Sequence, residues 1–385
     1  MSVPAGCSGS PRLRVCFFGT YAREHTVTRV LLSRLSLAGC DVLERHVPLW
    51  ERTRDKDASY FAPASLGRLL PSYLGAAVSL LRTLPRAGET DVYCVGFQGP
   101  LDVVLLRAAR PRAKIVFFPL VTLTETLLED RGVYGPRSLW ARLVRALDGI
   151  SLRAATTVVF DTRVHAEDVC RSFSLEPRRV RTWYLGADLE VFERRVPPKR
   201  KGSVNVLFYG QFLPLHGLDT ILDAFERLLS RPGYECRVVG TGPERRRLEP
   251  RLRDLEGRGL RWTEWVAYGD LGREVAGADV VLGCFGNSRK ASLVVPNKVY
   301  QAAAVGRPIV TRDGPAIREI FRPGDDLLAV PPNDPASLFE ALLELGDEAR
   351  RRQLGDEAGR LFETTLAPGL QARRLRQILE ETCVG

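Results

Sequence analysis

A lysine at the start of a predicted helix is the residue most suggestive of chemistry in this chain. Two apolar runs, 280–282 and 308–311, read as strands around a polar loop and a helix-length segment that closes at Gly306. Asn297 is a favourable N-cap, so Lys298 falls on the first turn, beside free N–H groups that carry about half a positive charge. A cation is best tolerated there when an anion lies between. The pattern therefore predicts a phosphate or carboxylate site at this helix start.

Two more cations precede this helix. Arg289 and Lys290 lie a loop length upstream of Lys298, where they could converge on the same anion. The alternative interpretation is that all three are solvated surface cations, as isolated lysines and arginines usually are.

The elements around this stretch form a repeating series of strands and helices. In the first half, apolar runs at 13–18, 91–96, 114–118, 156–160 and 182–185 alternate with helical patterns, the first of them at 26–38. After the proline- and charge-rich segment 194–203 the series restarts, with strand-like runs at 204–209, 236–240, 261–266, 280–282, 308–311 and 327–330. The fold class predicted is α/β, with two doubly wound Rossmann-like domains facing each other across a cleft.

This alternation also predicts domain boundaries. We expect an N-terminal domain at 1–193, a linker at 194–203, a C-terminal domain at 204–365, and a final helix at 366–385 that packs back on the N-terminal domain. Ligands of such sheets gather at the carboxyl ends of the strands, which in the first half are 19–25, 96–99, 119–126 and Asp161.

Composition limits the class of protein. The 385 residues are 45% hydrophobic and 26% charged, which are globular values, and the net charge is +10. A basic surface suits nucleotide phosphates or anionic lipid, although a compositional preference for arginine would also explain it. Nucleic-acid binding is disfavoured because the arginines are spread and no aromatic-interleaved patch occurs.

Cysteine usage and hydropathy predict a cytoplasmic protein. The eight cysteines show no C-x-x-C and no pairing with histidine, so we expect neither zinc nor disulfides. The N-terminus lacks the apolar core of a signal peptide. The segment 61–84 is too interrupted to span a bilayer, but it could be a core helix or lie on the inner face of the membrane. Asp55-Lys56-Asp57 resembles a metal motif without a preceding strand, and we predict no bound divalent ion and no cofactor.

Five motifs of the second half, in order and spacing, resemble the GT-B glycosyltransferases of family 4. They read FYGQFLPLHGLDTILDAF, VVGTGPERRRLE, VAGADVVLGCFG, VPNKVYQAAAVGRPIVT and IREIFRPGDDLLAVPPNDP. The first half is similar mainly at 157–192. The resemblance implies an enzyme that transfers a sugar, with retention, from a UDP- or GDP-linked donor held by the C-terminal domain to a glycan or lipid-linked acceptor held by the N-terminal one.

The resemblance also implies which residues bind the donor. They are Gly210, His216, Gly217, Gly240, Thr241, Gly242, Lys290, Asn297, Lys298 and Gln301. The family usually presents an arginine and a lysine in the first of these loops, where this chain has Gln211 and His216. Histidine is a weaker cation, so more of the phosphate contact is expected from Lys290 and Lys298.

The family's signature of two glutamates seven residues apart is missing. The second position is Gln301, which can still bond a ribose diol, and the first is Leu293, which cannot bond a sugar. The chain resembles a branch with a P-N-K motif, in which Lys290, Ser292 or Asn297 takes the sugar contact. The change also leaves open a non-catalytic sugar-nucleotide-binding scaffold.

On the acceptor side the candidates for catalysis are Glu125 and Asp161, each at a predicted strand end. Gly19, Thr20 and His25, after the first strand, are expected on the same side. A nucleotide-sugar 2-epimerase shares the two-domain layout. That class needs paired carboxylates and a histidine around the donor sugar, which the stretch 285–301 lacks.

Overall fold

The computed structural model describes residues 12–50, 63–195 and 202–384. The Asp55-Lys56-Asp57 motif and most of the expected linker 194–203 lie outside these ranges. Within them the chain forms two six-stranded sheets, each fully parallel and covered by helices on both faces, which confirms the predicted α/β class.

The first sheet has the strand order β2-β1-β3-β4-β5-β6. Its strands are Arg14–Gly19 (β1), Asp41–His46 (β2), Val92–Val95 (β3), Ile115–Phe117 (β4), Thr157–Phe160 (β5) and Val180–Thr182 (β6). Its helices are Thr26–Leu37 (α1), Pro63–Arg82 (α2), Pro100–Ala109 (α3), Leu139–Ala154 (α4) and Arg163–Ser172 (α5), with a π-helix at Thr124–Asp130. The strand order reverses direction between β1 and β3, where ligands of such sheets collect.

The second sheet has the order β12-β11-β10-β7-β8-β9, with its reversal between β7 and β10. Its strands are Val204–Tyr209 (β7), Tyr234–Val239 (β8), Arg261–Thr263 (β9), Val280–Leu282 (β10), Ile309–Arg312 (β11) and Leu328–Val330 (β12). Its helices are Leu218–Leu229 (α6), Arg245–Glu256 (α7), Tyr268–Ala276 (α8), Arg289–Leu293 (α9), Asn297–Val305 (α10), Pro315–Ile320 (α11), Pro335–Glu344 (α12) and Glu348–Leu361 (α13).

Most predicted strands fall within two residues of the observed ones, and the exceptions have physical reasons. The predicted strand at 182–185 lies at 180–182, because Trp183 and Leu185 are buried by tertiary packing beyond the strand end. Strand β2, DVLERH, carries no continuous apolar run because it is an edge strand that pairs only with β1. The sequence pattern therefore gave no prediction of it.

The chain ends in helix Pro368–Val384 (α14), which packs on the first sheet's side of the molecule against α1, β3 and β4. The indole Nε1 of Trp183 donates to the carbonyl of Gln371 over 2.9 Å, and the hydroxyls of Thr157 and Thr382 are 2.8 Å apart. These contacts tie the end of the chain to strands and loops of the first half.

The two halves meet along the carboxyl edges of both sheets. Helix α9 packs on the π-helix Thr124–Asp130, and α11 packs on α5. Glu319 of α11 accepts hydrogen bonds from the free N–H groups of Arg163 and Val164, 2.7 and 3.1 Å long, at the start of α5. A carboxylate from one half thus caps a helix of the other.

Candidate functional site

Lys298 is buried at the start of α10 with its charge unmatched. Its side chain is on the first turn of the helix, and its Nζ lies 4.0 Å from the ring centre of Phe208 on β7. Within the described ranges no hydrogen-bond partner reaches this amine. Burial lowers the pKa of Lys298 to about 8, so near neutral pH the group is a desolvated ammonium that lies against aromatic rings.

Gly210 keeps the space in front of this amine open. The residue follows β7 with a φ of +140°, and a Cβ built on it would lie 3.0 Å from Nζ of Lys298 and 3.3 Å from Cε1 of His216. A side chain here would be strained and would fill the approach to the ammonium. The backbone of Gly210 and the start of α10 therefore border this approach, the gap before Lys298.

His216 shapes this gap as an uncharged residue. Its Nδ1–H donates to the carbonyl of Gln211 within the same loop. Burial, together with the charges of Lys298 and Lys290, holds the pKa of His216 well below its usual range. The neutral histidine therefore holds the loop after β7 in place and adds no positive charge.

Close backbone packing explains the glycines of the loops that follow β7 and β8. Gly217 has a left-handed φ of +62°, and a Cβ there would lie 2.5 Å from the N of Gly286. Gly240 and Gly242 pack against the backbone of the loop after β7, where a Cβ at either position would collide. These close contacts account for the glycines without a ligand, and Thr241 serves the same packing by accepting from the N–H of Phe212.

The cations upstream of α10 do not gather on the gap before Lys298 but face the first half. Nζ of Lys290 lies 3.6 Å from the carboxylate of Asp130 and 3.3 Å from the hydroxyl of Thr126. Arg289 pairs with Glu129 at 3.1 Å and with Asp168. The acidic π-helix attracts both cations, a partner that the sequence pattern alone did not supply.

Three residues in or near α10 have positions or contacts that the sequence alone did not predict. Asn297 is the first helical residue and makes no capping bond, so its predicted N-cap role is wrong; Pro296 occupies that position. Gln301 is buried and its Oε1 accepts from the hydroxyl of Tyr209 over 2.7 Å. Leu293 is also buried, and its carbonyl accepts from Thr162 Oγ1 over 2.6 Å, so this position is part of the contact between the halves.

The first half contributes a compact ionic cluster. Nε2 of His165 lies 2.9 Å from Glu125 Oε1, and Nδ1 lies 3.3 Å from Asp161 Oδ1, with all three side chains almost fully buried. Burial opposes a charge on the imidazole, but the charge of Glu125 and the hydrogen bonds that the ring donates to both carboxylates raise the pKa of His165 to about 10. Burial likewise opposes ionisation of Glu125, yet the charge of His165 lowers the pKa of that carboxyl to about 2. The histidine is therefore a cation that donates to both carboxylates.

The start of the π-helix, which carries Glu125, is held by further hydrogen bonds. Glu125 Oε2 accepts from the N–H and the hydroxyl of Thr122 at 2.7 and 2.8 Å. Asp148 of α4 accepts from the N–H groups of Leu123 and Thr124, which begin the π-helix, and burial raises its pKa to about 6. Both carboxylate oxygens of Glu125 thus accept hydrogen bonds, so this side chain positions the start of the π-helix and is a weak base.

The acceptor-side residues after β1 are mostly structural in their contacts. Thr20 is fully buried and donates its N–H and hydroxyl to Asp102 at 2.8 and 3.0 Å. A Cβ on Gly19 would lie 2.6 Å from the same carboxylate. His25 is the N-cap of α1, and its ring centre lies 4.9 Å from that of Phe97.

The second half of the chain matches a known protein family. The family model of the glycosyl transferases group 1 matches residues 203–348, the segment that contains Gly210, His216 and Lys298. Residues 203–348 form a group 1 glycosyltransferase domain. The match confirms the group 1 glycosyltransferase resemblance for this segment, which contains the five motifs on which the resemblance was based.

Solved structures with the same architecture extend the match over both halves. Sucrose-phosphate synthase from Thermosynechococcus elongatus is 16% identical with a TM-score of 0.73, covering 96% of this chain and 99% of that chain. HepE of Anabaena, solved with UDP-glucose, is 14% identical with a TM-score of 0.70 over 96% of this chain and 100% of that chain. At these identities the likeness shows the fold alone, and that fold is GT-B.

A curated relative matches only in part. The exopolysaccharide phosphotransferase of Streptomyces coelicolor is 36% identical over 156 residues, which cover 38% of this chain and 16% of that protein. The chain thus spans about a sixth of the length of this relative. Among the helices in the described ranges, none has the length and apolarity needed to cross a membrane.

Three residues to which the sequence assigned no individual role take part in these contacts. His165 joins the two predicted carboxylates, while Thr126 and Asp130 contact Lys290. The spacing of Asp161 and His165, four residues apart at a helix start, was an available signal. The roles of Thr126 and Asp130 depend on a π-helix, whose extra residue per turn has no clear sequence pattern.

Proposed function

We propose that this protein is a retaining glycosyltransferase that moves a sugar from a UDP- or GDP-sugar to a glycan or lipid-linked acceptor. One observation carries the proposal, namely the buried ammonium of Lys298, without a hydrogen-bond partner in the described chain, at a helix start in a group 1 domain. A diphosphate fits this gap because it would supply the missing hydrogen bonds and complement the helix N-terminus.

The proposed reaction breaks the bond between the anomeric carbon and the terminal phosphate oxygen of the donor. The electron pair stays on the departing nucleoside diphosphate, whose added charge Lys298 stabilises. The acceptor hydroxyl oxygen forms the new bond to the anomeric carbon. Its proton passes to the departing phosphate, since Glu125, with a pKa of about 2, is the weaker base.

The other donor residues have supporting roles in this proposal. Gly210 leaves room for the phosphates, and neutral His216 braces the loop beside them. Lys290 and Asn297 contact the transferred sugar. Lys290 does so while its amine keeps the ion pair with Asp130. Gln301 meets the ribose through its amide group while its carbonyl stays on Tyr209.

A second candidate function has one observation in its favour. The cluster of Glu125, His165 and Asp161 joins paired carboxylates to a histidine next to the cleft, the set of residues that nucleotide-sugar 2-epimerases require. The sequence counted against this class because 285–301 lacks such residues. We rank it second because hydrogen bonds within the protein already engage the groups of this cluster.

The experiment that tests the proposal is a donor panel. Purified protein is incubated with UDP- and GDP-sugars, with and without acceptors, while nucleotide release and thermal stability are followed. We expect one base to raise the melting temperature and acceptor-dependent release of its diphosphate. Tight donor binding without any turnover would indicate a scaffold, and a changed donor sugar without release would indicate an epimerase.

The place of action is part of the same proposal. A net charge of +10 favours contact with an anionic membrane, and we propose peripheral action at the cytoplasmic face. Sedimentation with vesicles of phosphatidylglycerol at low and high salt would test it, with binding expected only at low salt.

A further inference from the structure

An apolar cavity lies in the first half, between α2, α3, α4 and the π-helix. Its volume is about 350 Å³, and its walls include Trp50, Tyr73, Phe97, Leu127, Tyr134 and Trp140. Cavities of about 150 Å³ lined by apolar side chains already hold a benzene molecule, and ligand pockets begin at about 300 Å³. A cavity of this size is therefore large enough for a ligand.

The mouth of this cavity opens between two helix faces that expose apolar side chains to solvent. On α2 the row is Leu70, Leu74, Val78 and Leu81, and on α4 it is Leu139, Trp140, Leu143 and Ile150. With Leu101 at the start of α3, these are nine of the fourteen exposed large hydrophobic side chains in the described chain. Leu70, Trp140 and Leu143 belong both to this surface and to the cavity wall.

The inner end of the cavity reaches the donor side of the cleft. Thr126 lines the cavity, and its hydroxyl is 3.3 Å from Nζ of Lys290. Thr122 lines it as well and holds Glu125 through two hydrogen bonds. A molecule in the cavity would therefore place its polar end within reach of the lysine of the glycosyltransferase domain.

Charge around the cavity favours an amphiphile whose polar end is anionic. Arg131 is part of the wall, and Arg142 and Arg145 are exposed between the apolar residues of α4. Asp148, the acidic residue of the wall, is occupied by the N–H groups of the π-helix. A hydrocarbon chain fits the apolar walls, and an anionic polar end fits Arg131 of the wall, while Arg142 and Arg145 flank the mouth.

We propose that this cavity binds the hydrocarbon tail of an amphiphilic acceptor, whose hydroxyl is thereby presented to the donor sugar. The inference rests on the proposed function for the identity of the acceptor, but not for the binding of the tail. The exposed rows on α2 and α4 let the tail pass from a bilayer into the cavity without crossing water.

Chain-length dependence tests this proposal directly. The probes are hexyl, octyl and decyl β-glucoside below their micellar concentrations, measured by titration calorimetry. We expect affinity to rise about fourfold for each added methylene, since burying one CH₂ is worth about 0.8 kcal/mol. Affinity that does not change from hexyl to decyl would overturn the proposal.

Variants separate the cavity from the surrounding surface. Val144→Phe fills the cavity wall, whereas Val78→Phe adds the same bulk to the exposed row outside it. We expect decyl glucoside to bind the first variant at least tenfold more weakly and the second as wild type. Equal binding to both would overturn the proposal. Leu143→Glu, at an exposed position of the mouth, repeats the test if Val144→Phe does not fold, with the same loss expected.

Nucleotide binding, measured on the same proteins, keeps this test apart from the proposed function. UDP and GDP are titrated in parallel, and neither Val144→Phe nor Leu143→Glu should change their affinity. If glucosides bind by chain length while no nucleotide binds, the proposed function fails and the cavity assignment stands. If nucleotides bind and glucosides show no chain-length dependence, only the cavity assignment fails.

Discussion

Two buried charged centres, one in each half of the molecule, differ in how completely their polar groups are satisfied by hydrogen bonds. His165 lies between Glu125 and Asp161 and has a carboxylate on each ring nitrogen. Lys298 has aromatic contacts and, in the described chain, no hydrogen-bond partner. The first centre is complete without a ligand, and the second is not.

This difference indicates where a ligand is needed. A buried charge without a partner is costly, whereas a fully bonded network can rigidify its surroundings. The histidine cluster therefore fixes the start of the π-helix, and Lys298 is the group that an anionic ligand would stabilise. The four predictions that follow test this distinction, from the largest expected effect to the smallest.

Removing the imidazole should cost the most stability. We expect His165→Ala to lower the free energy of unfolding by about 3–5 kcal/mol, because it leaves two buried carboxylates without their cation. Urea unfolding followed by circular dichroism measures it. His25→Ala is the control, since it removes a helix cap worth about 1 kcal/mol. Equal losses of unfolding free energy in the two variants would show that the ionic contacts of His165 contribute no more to stability than a helix cap.

Removing the unmatched amine should affect binding and not folding. We expect Lys298→Met to weaken nucleoside diphosphate affinity by about 1.5–3 kcal/mol, the worth of a hydrogen bond to a charged group. The ligand-free variant should be at least as stable as wild type, because a buried unpaired ammonium is lost. Titration calorimetry and thermal unfolding measure the two effects.

Lys290→Met is the matched control for this variant. Its amine has Asp130 as a partner, so the same change should destabilise the protein and should weaken the nucleotide less. A larger binding loss from Lys290→Met than from Lys298→Met would reverse the assigned roles.

These contrasts also show what sequence could and could not reveal. The alternation of apolar runs gave the fold class, and the position of Lys298 on a first helical turn gave the anion hypothesis. The isolation of its amine could not be predicted, because it depends on Phe208 and Gly210, which are remote in sequence. The pairing of Lys290 with Asp130 could not be predicted either, because it requires the two halves to pack on each other.

The pH dependence of binding should follow the same amine. Lys298 is charged below its pKa of about 8 and neutral above it, so affinity should fall as the pH rises through that value. At pH 9 we expect a loss of about tenfold, or about 1.4 kcal/mol, relative to pH 7. Lys298→Met should show no such fall between pH 7 and 9. A wild-type affinity that is constant over this range would argue against the ammonium as the phosphate ligand.

The smallest effect is expected at the surface contact between the halves. Arg289, with 42% of its side chain exposed, pairs with Glu129 and Asp168, so Arg289→Ala should cost no more than about 1 kcal/mol of stability. Nucleotide affinity should stay within about twofold of wild type, because its charge points away from the gap before α10. A tenfold loss of nucleotide affinity would instead indicate that Arg289 contacts the phosphates, as its position upstream of Lys298 in the sequence suggests.

The most direct test is a crystal structure of the protein with UDP or GDP, whichever binds more tightly. We predict a phosphate oxygen within about 3 Å of Lys298 Nζ, in the gap beside Gly210. A nucleotide bound elsewhere in the cleft, with the ammonium still resting on Phe208 alone, would contradict it.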